Sequence, residues 1–140
     1  MTSDFSPDTV KHLEFIQAVI ARLSNASFLI KGWSMTLTAA IIGLAASQND
    51  LRICAAAIIP VAGFWVLDSY FLKQERQYRN LYDGVRTGLN SIEKFAMNPS
   101  SSATQVRHIN AFSSKLMVFF YGTPIAALAT LAIAALAIRK

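Results

Sequence analysis

Three apolar stretches, each about as long as a membrane-spanning helix, dominate this sequence. They cover residues 28–46, 53–72 and 116–138, and a helix that crosses a bilayer needs roughly 20 residues. Charged residues make up only 15% of the 140-residue chain, whereas soluble domains average about 25%. The sequence therefore predicts an all-α integral membrane protein with three transmembrane helices.

The remaining segments predict helices that continue the spans into the cytoplasm. Residues 1–27 predict an amphipathic helix that starts at Ser6 and Pro7, with no strong breaker before the first span. Residues 28–72 hold the first two spans, and 73–115 predict a cytoplasmic helical bundle. Within that bundle, a 4,3,4,3,4 spacing from Tyr78 to Ala96 predicts a continuous helical seam. Residues 98–102 form the linker, and a further helix from near Ala103 is expected to run directly into the third span, 116–140.

The distribution of basic residues predicts the topology. The formal charge is +5, and seven basic residues lie between the second and third spans: Lys73, Arg76, Arg79, Arg86, Lys94, Arg107 and Lys115. The positive-inside rule places this segment and the N-terminus in the cytoplasm, with Arg139 and Lys140 outside. No cleavable signal peptide is expected. The positive charge indicates contact with anionic lipid headgroups, and no nucleic-acid partner is expected because no aromatic or glycine-rich binding motif accompanies it.

Small residues recur at every fourth position in two spans. The stripes consist of Ala39, Gly43 and Ser47 in the first span and Gly122, Ala126, Thr130 and Ala134 in the third. Small faces let helices approach closely, so such stripes are typical of packing surfaces in membranes. Spacing alone does not separate contacts within a chain from contacts between chains, and we expect both. The chain is therefore predicted to form a homo-oligomer.

Two charges lie about one turn inside the cytoplasmic ends of their spans. Lys31 and Asp68 have similar expected depths, so they predict a structural ion pair that lowers the cost of each charge and fixes helix register. A proton-responsive or ion-coordinating site and snorkelling to the headgroups are the alternatives. Four aromatic residues near this level predict an interfacial belt: Trp33, Trp65, Tyr70 and Phe71.

A charged platform is predicted just beyond the second span. Glu75 and Arg79 are four residues apart, in the favourable order for a helical ion pair, and Arg76 lies between them. Contact with Glu14 would lock this platform to the N-terminal helix. Binding of phosphate or a lipid headgroup by Arg76 and Arg79 is the functional alternative.

No catalytic or metal-binding motif is visible in the sequence. His12 and His108 are far apart and are expected to be solvated or interfacial, and the lone Cys54 is expected to act as a small apolar residue. The deep positions of the spans hold threonine, alanine and glycine. We therefore predict a protein that is not an enzyme and needs no cofactor or metal.

A family resemblance supports the oligomer. It rests on the runs Leu13-Glu14-Phe15-Ile16-Gln17, Lys31-Gly32-Trp33, Phe64-Trp65-Val66-Leu67-Asp68-Ser69-Tyr70-Phe71-Leu72 and Arg79-Asn80-Leu81-Tyr82, with Asn25, Ser27, Phe28, Glu75 and Arg76. These residues resemble the signature of the RipA-type family of small bacterial inner-membrane proteins. The resemblance implies a multi-pass protein of the bacterial inner membrane that assembles as an octamer without assigned catalysis.

Two functions remain open from the sequence. The leading hypothesis is a non-enzymatic protein that forms a ring-like homo-oligomer and acts as a scaffold, regulator or pore. The alternative is a signal-gated effector that perturbs the membrane, because a basic cytoplasmic platform is expected to be joined rigidly to the membrane helices. This layout is also similar to that of the two-span helical effector domains of bacterial nucleotide-signalling defence systems. The expected partners are membrane lipids, further copies of the chain and an unknown cytoplasmic partner.

Overall fold

Four α-helices account for nearly all of the structure. The computed structural model describes residues 6–48, 51–88, 95–99 and 108–138. Its helices are α1 (Pro7–Gln48), α2 (Leu51–Arg86), α3 (His108–Phe112) and α4 (Lys115–Ile138), and these described ranges contain no strand. The all-α prediction is confirmed. Three of the helices, α1, α2 and α4, are long and apolar enough to cross a membrane.

The first predicted span and the N-terminal helix form one uninterrupted helix. Ser6 caps it, because its side-chain oxygen accepts a hydrogen bond from the Thr9 amide at 3.3 Å. Pro7 occupies the first helical position, where a missing N–H costs nothing. At a rise of 1.5 Å per residue, α1 is about 63 Å long, roughly twice the hydrocarbon thickness of a bilayer.

The predicted seam after the second span is shorter than expected. Helix α2 ends at Arg86, and Gly88 has a φ of 69°, a left-handed conformation that terminates helices. Ala96, the last seam position, is not helical, and Leu89 and Ile92 lie outside the described residues. The prediction of a continuous helix to Ala96 was therefore wrong for this end of the seam.

The approach to the third apolar helix is also interrupted. Ser113 and Ser114 separate α3 from α4, whereas the sequence predicted one continuous helix from near Ala103. Residues 100–107, which include most of the predicted linker, lie outside the described residues, although Asn98 lies outside the α-helices. Serines compete for backbone hydrogen bonds, which gives a physical reason for this break.

Helix α2 is the central element, since α1 and α4 both pack on it and contact each other little. The buried apolar cluster lies between α2 and α4 and contains Ala57, Val61, Met117, Tyr121 and Leu128. The buried residues of α1 from Ser27 onward are small or polar: Ser27, Ser34, Thr38 and Ala45. Ile41 and Ile42 are partly buried and pack against the apolar cluster. This α1 face allows close helix contact and holds the polar groups of the site.

Candidate functional site

A carboxylate with no exposed surface is the centre of the candidate site. Asp68 lies on α2 with an exposed fraction of 0%. Its Oδ1 accepts hydrogen bonds from the Ser27 hydroxyl at 2.5 Å and from the Lys31 ammonium at 2.9 Å. Its Oδ2 lies 2.7 Å from Lys31 Nζ and accepts a hydrogen bond from the Tyr121 hydroxyl at 3.1 Å. We call these four residues the Asp68 cluster, and they join α1, α2 and α4.

The structure brings together Lys31 and Asp68, the two residues predicted to pair. Lys31 also donates a hydrogen bond to the Ser27 hydroxyl at 2.8 Å, so its ammonium has three oxygen neighbours within the cluster. The Lys31 side chain keeps 21% of its surface exposed, whereas the Asp68 side chain keeps none. A buried ion pair is tolerated only when further hydrogen bonds satisfy its atoms, and Ser27 and Tyr121 supply them.

An aromatic stack holds α3 and α4 against α2 next to the Asp68 cluster. Trp65 is nearly parallel to the rings of Phe112 and Tyr121, at centroid distances of 4.4 and 6.0 Å. The Trp65 indole N–H also donates to the Phe112 carbonyl at 3.2 Å. Trp65 was predicted to lie in an interfacial belt, but here it links α2 to both α3 and α4. The stack fixes the ring whose hydroxyl contacts Asp68.

The predicted charged platform divides into separate contacts. Arg79 Nη2 lies 2.6 Å from Glu75 Oε1 on the same helix, at the predicted spacing. Arg76 donates to the Asn110 carbonyl at 3.0 Å and to the Ser114 hydroxyl at 3.4 Å, and so contacts the interruption between α3 and α4. Glu14 pairs with Lys11 on its own helix at 2.9 Å. The contact we expected between Glu14 and the α2 residues is replaced by this local pair.

His12 is buried in the protein, whereas it was expected to be solvated or interfacial. It is 4% exposed, and its Nε2 lies 3.0 Å from the Ala96 carbonyl. The Tyr78 hydroxyl donates to the Met97 carbonyl at 3.2 Å. The two side chains therefore hold residues 95–99 against α1 and α2. The side chain of the second histidine, His108, lies outside the described part of the chain.

The predicted small-residue stripes do not mediate helix packing within the chain. Ala39, Gly43 and Ser47 are exposed on α1, and Ala126, Thr130 and Ala134 are exposed on α4. Gly122 is half-buried, yet a Cβ added there or at Gly43 would meet no atom within 4 Å. Among the described residues, the expectation of packing within one protomer was therefore wrong, because other faces make those contacts. These faces include Ser34, Thr38 and Ala45 on α1 and Met117, Tyr121 and Leu128 on α4.

The chemistry of the cluster is electrostatic and positional. Within the described ranges, no group of three His, Cys, Asp or Glu side chains could hold a metal ion. Every buried side-chain nitrogen and oxygen in the same ranges has a hydrogen-bond partner. The Asp68 carboxylate is thus shielded and surrounded by donors, an arrangement that fixes the relative register of three helices.

Sequence reasoning identified two of the four cluster residues and missed Ser27 and Tyr121. A signal for Ser27 was available, since it precedes Lys31 by one helical turn. Tyr121 is the one tyrosine in the third apolar stretch, but nothing in its spacing indicates a partner on α2. Comparisons of this chain with protein families, curated proteins and solved structures find no match.

Proposed function

We propose that this chain is a non-enzymatic, multi-pass membrane protein that assembles into a ring-like homo-oligomer and acts as a scaffold, regulator or pore. The exposed surface of the long helices supports insertion into a bilayer. Phe28, Ile59 and Phe119 are 73–75% exposed, and Trp33 is 69% exposed. Large apolar side chains in such numbers are unfavourable in water and suit contact with lipid tails.

The observation that carries the oligomer is the exposure of both small-residue stripes. The chain satisfies its own packing with other faces of α1 and α4, so Gly43 on α1 and Ala126 on α4 remain open to a neighbour. Hydrocarbon offers little hydrophobic drive for helix association, and close contact between small residues is one of the principal substitutes. An octamer is the assembly implied by the family resemblance and is the size we propose.

The proposed location is the bacterial inner membrane, with the N-terminus in the cytoplasm. Basic residues on the segment between α2 and α4 support this orientation through the positive-inside rule. The Asp68 cluster would then lie near the cytoplasmic side of the bilayer. Its role in this proposal is to keep each protomer rigid while the exposed faces assemble.

Native mass spectrometry of the detergent-extracted protein tests the assembly. We expect one high-order species for the unchanged chain and smaller species for Gly43→Leu and Ala126→Leu, because leucine would separate the approaching helices. Ala56→Leu is the matched control, since Ala56 is an exposed alanine on α2, outside both stripes. A monomer of the unchanged chain at micromolar concentration would contradict the proposal.

A signal-gated effector that perturbs the membrane is the second candidate. Two continuous helices favour it, because α1 and α2 each extend from the apolar region to the contacts of His12 and Tyr78 with residues 95–99. Displacement of residues 95–99 would act directly on helices that reach the Asp68 cluster. Depolarisation of cells overexpressing the chain, dependent on a cytoplasmic signal, would favour this candidate over a passive scaffold.

A further inference from the structure

A groove between α1 and α4 is unused by the contacts described above. It has a volume of about 380 Å³. Its α1 wall includes Ser34, Thr38 and Ile42, and its α4 wall includes Phe119, Thr123 and Ala127. The Thr123 hydroxyl donates to the Phe119 carbonyl at 2.7 Å, so it is satisfied within its own helix. The groove therefore presents an essentially apolar lining to whatever occupies it.

The length of the groove fits the part of a hydrocarbon chain that lies within one leaflet. Residues 34–42 and 119–127 each span about 12 Å along a helix axis, close to the depth of one leaflet of the hydrocarbon core, about 15 Å. A hydrocarbon chain can extend along this length with its methylene groups against both walls of the groove.

The charges on the two walls favour an anionic headgroup. Lys31 precedes Met35 by one turn on α1, and Lys115 precedes Phe119 by one turn on α4, so each wall begins with a cation. Of the Lys31–Asp68 pair, only Lys31 has exposed surface. No Asp or Glu follows Glu14 in α1, and α4 contains none. A negatively charged phosphate at this end of the groove would therefore meet a cation on each wall, and neither α1 after Glu14 nor α4 would present a carboxylate to it.

We propose that the α1–α4 groove binds one acyl chain of an anionic phospholipid, with the lipid phosphate between Lys31 and Lys115. The inference rests on the membrane insertion proposed above, but it is independent of the assembly. The bound lipid would fill the gap between two helices that contact each other little, and it would connect α1 and α4 next to the Asp68 cluster. The site selects for headgroup charge at one end and for a single tail at the other.

Lipid titration by native mass spectrometry tests this site. The purified, delipidated chain is titrated with phosphatidylglycerol and with phosphatidylcholine that carries the same acyl chains. We expect tighter binding of phosphatidylglycerol and about a fivefold loss of this affinity in Lys115→Gln, since one basic residue near a membrane surface contributes about that factor. Arg22→Gln is the matched control because Arg22 is an exposed cation on α1 away from the groove residues, and it should bind like the unchanged chain.

Filling the groove provides the second arm of the test. Ala127→Phe should abolish lipid retention, and Thr38→Phe should do so from the opposite wall, since both positions line the groove. Ala129→Phe adds the same ring at an exposed α4 position outside the groove lining and should leave retention unchanged. Helical content by circular dichroism verifies that each variant is folded, and the two filling variants give independent readings.

Three outcomes would overturn the lipid site. They are equal affinity for the two lipids, unchanged retention in both folded filling variants, and loss of oligomer mass on filling without any effect on lipid. The last result would assign the groove to a second copy. The same spectra report oligomer mass, so a monomer that still binds phosphatidylglycerol in the groove would refute the assembly and support the lipid site.

Discussion

The ion pair in the apolar part of the bundle differs from the ion pair at its charged end in burial and in the helices that it connects. Lys31 and Asp68 belong to different helices, and two further helix-borne hydroxyls complete their hydrogen bonds. Glu75 and Arg79, by contrast, belong to one helix, and the Arg79 side chain is 60% exposed. Exposed pairs within a helix contribute little to stability, whereas removal of one member of a buried pair leaves a charge without compensation. Burial and the connection between two helices therefore determine which ion pair contributes more to stability.

Helix connections at the charged end depend on backbone carbonyls instead. His12, Tyr78 and Arg76 each contact a carbonyl of a segment outside the three long helices. The acceptor of each of these hydrogen bonds is a neutral carbonyl. Breaking one of them should therefore cost less free energy than breaking the Asp68 cluster. The apolar region therefore determines the helix register, while weaker and separable contacts hold the charged end.

Reversal of the buried charge should have the largest effect. Asp68→Lys places two ammonium groups against each other and should destabilise the fold by about 3–5 kcal/mol, the range for an uncompensated buried charge. Adding Lys31→Asp restores opposite charges and should recover part of this loss. Thermal unfolding in detergent, followed by circular dichroism, measures both. Equal destabilisation in the single and double variants would refute energetic coupling of the pair.

Removal of the tyrosine hydroxyl should have an intermediate effect. Tyr121→Phe keeps the ring stacked on Trp65 but removes one donor from Asp68, which should cost about 2 kcal/mol for a hydrogen bond to a charged group. The same unfolding assay measures this change. Phe120→Leu is a useful comparison, because it alters the ring next to Tyr121 without removing a hydrogen-bond donor from Asp68. A Tyr121→Phe variant as stable as the unchanged chain would show that Lys31 and Ser27 suffice.

Loss of the Arg76 side chain should loosen one segment only. Arg76→Ala removes the donors to Asn110 and Ser114 and should cost about 1 kcal/mol. Amide hydrogen exchange should increase in α3 and at the interruption before α4, while the amides around Asp68 stay protected. Increased exchange throughout α2 would contradict the distinction drawn between the two regions.

The smallest change is expected at the exposed pair. Arg79→Ala should alter stability by about 0.5 kcal/mol or less, because a helical pair four residues apart contributes only this much. It is also the control for Arg76→Ala, since both substitutions remove one arginine from the same part of α2. A loss as large as that of Tyr121→Phe would mean that Arg79 makes a contact beyond Glu75.

Periodicity and composition predicted the long helices because their apolar runs are long and α1 contains no breaker. The ends of helices were harder to predict. Gly88 adopts a left-handed conformation and Ser113 interrupts a helix, yet both types of residue also occur inside helices elsewhere in this chain. Such local choices depend on tertiary contacts, here the Trp65 and Arg76 contacts to the segment before α4.

The candidate site was predicted only where its members are charged. A single charge in an apolar helix has a high free-energy cost, so the pairing of Lys31 with Asp68 could be predicted from their charges. Serine and tyrosine occur in many environments, and only the fold shows that Ser27 and Tyr121 both donate hydrogen bonds to Asp68. The burial of His12 is a similar case, because its partner is a backbone carbonyl and carries no signature in the sequence.

The aromatic stack makes one tryptophan an intrinsic optical probe of the bundle. The chain has two tryptophans. Trp33 is 69% exposed, while Trp65 stacks on two rings and its N–H donates a hydrogen bond to a carbonyl. In a chain with Trp33 replaced by Phe, the emission maximum and quenching of Trp65 would report separation of α3 or α4 from α2. The contacts that position Tyr121 therefore supply a label-free fluorescence signal for conformational change beside Asp68.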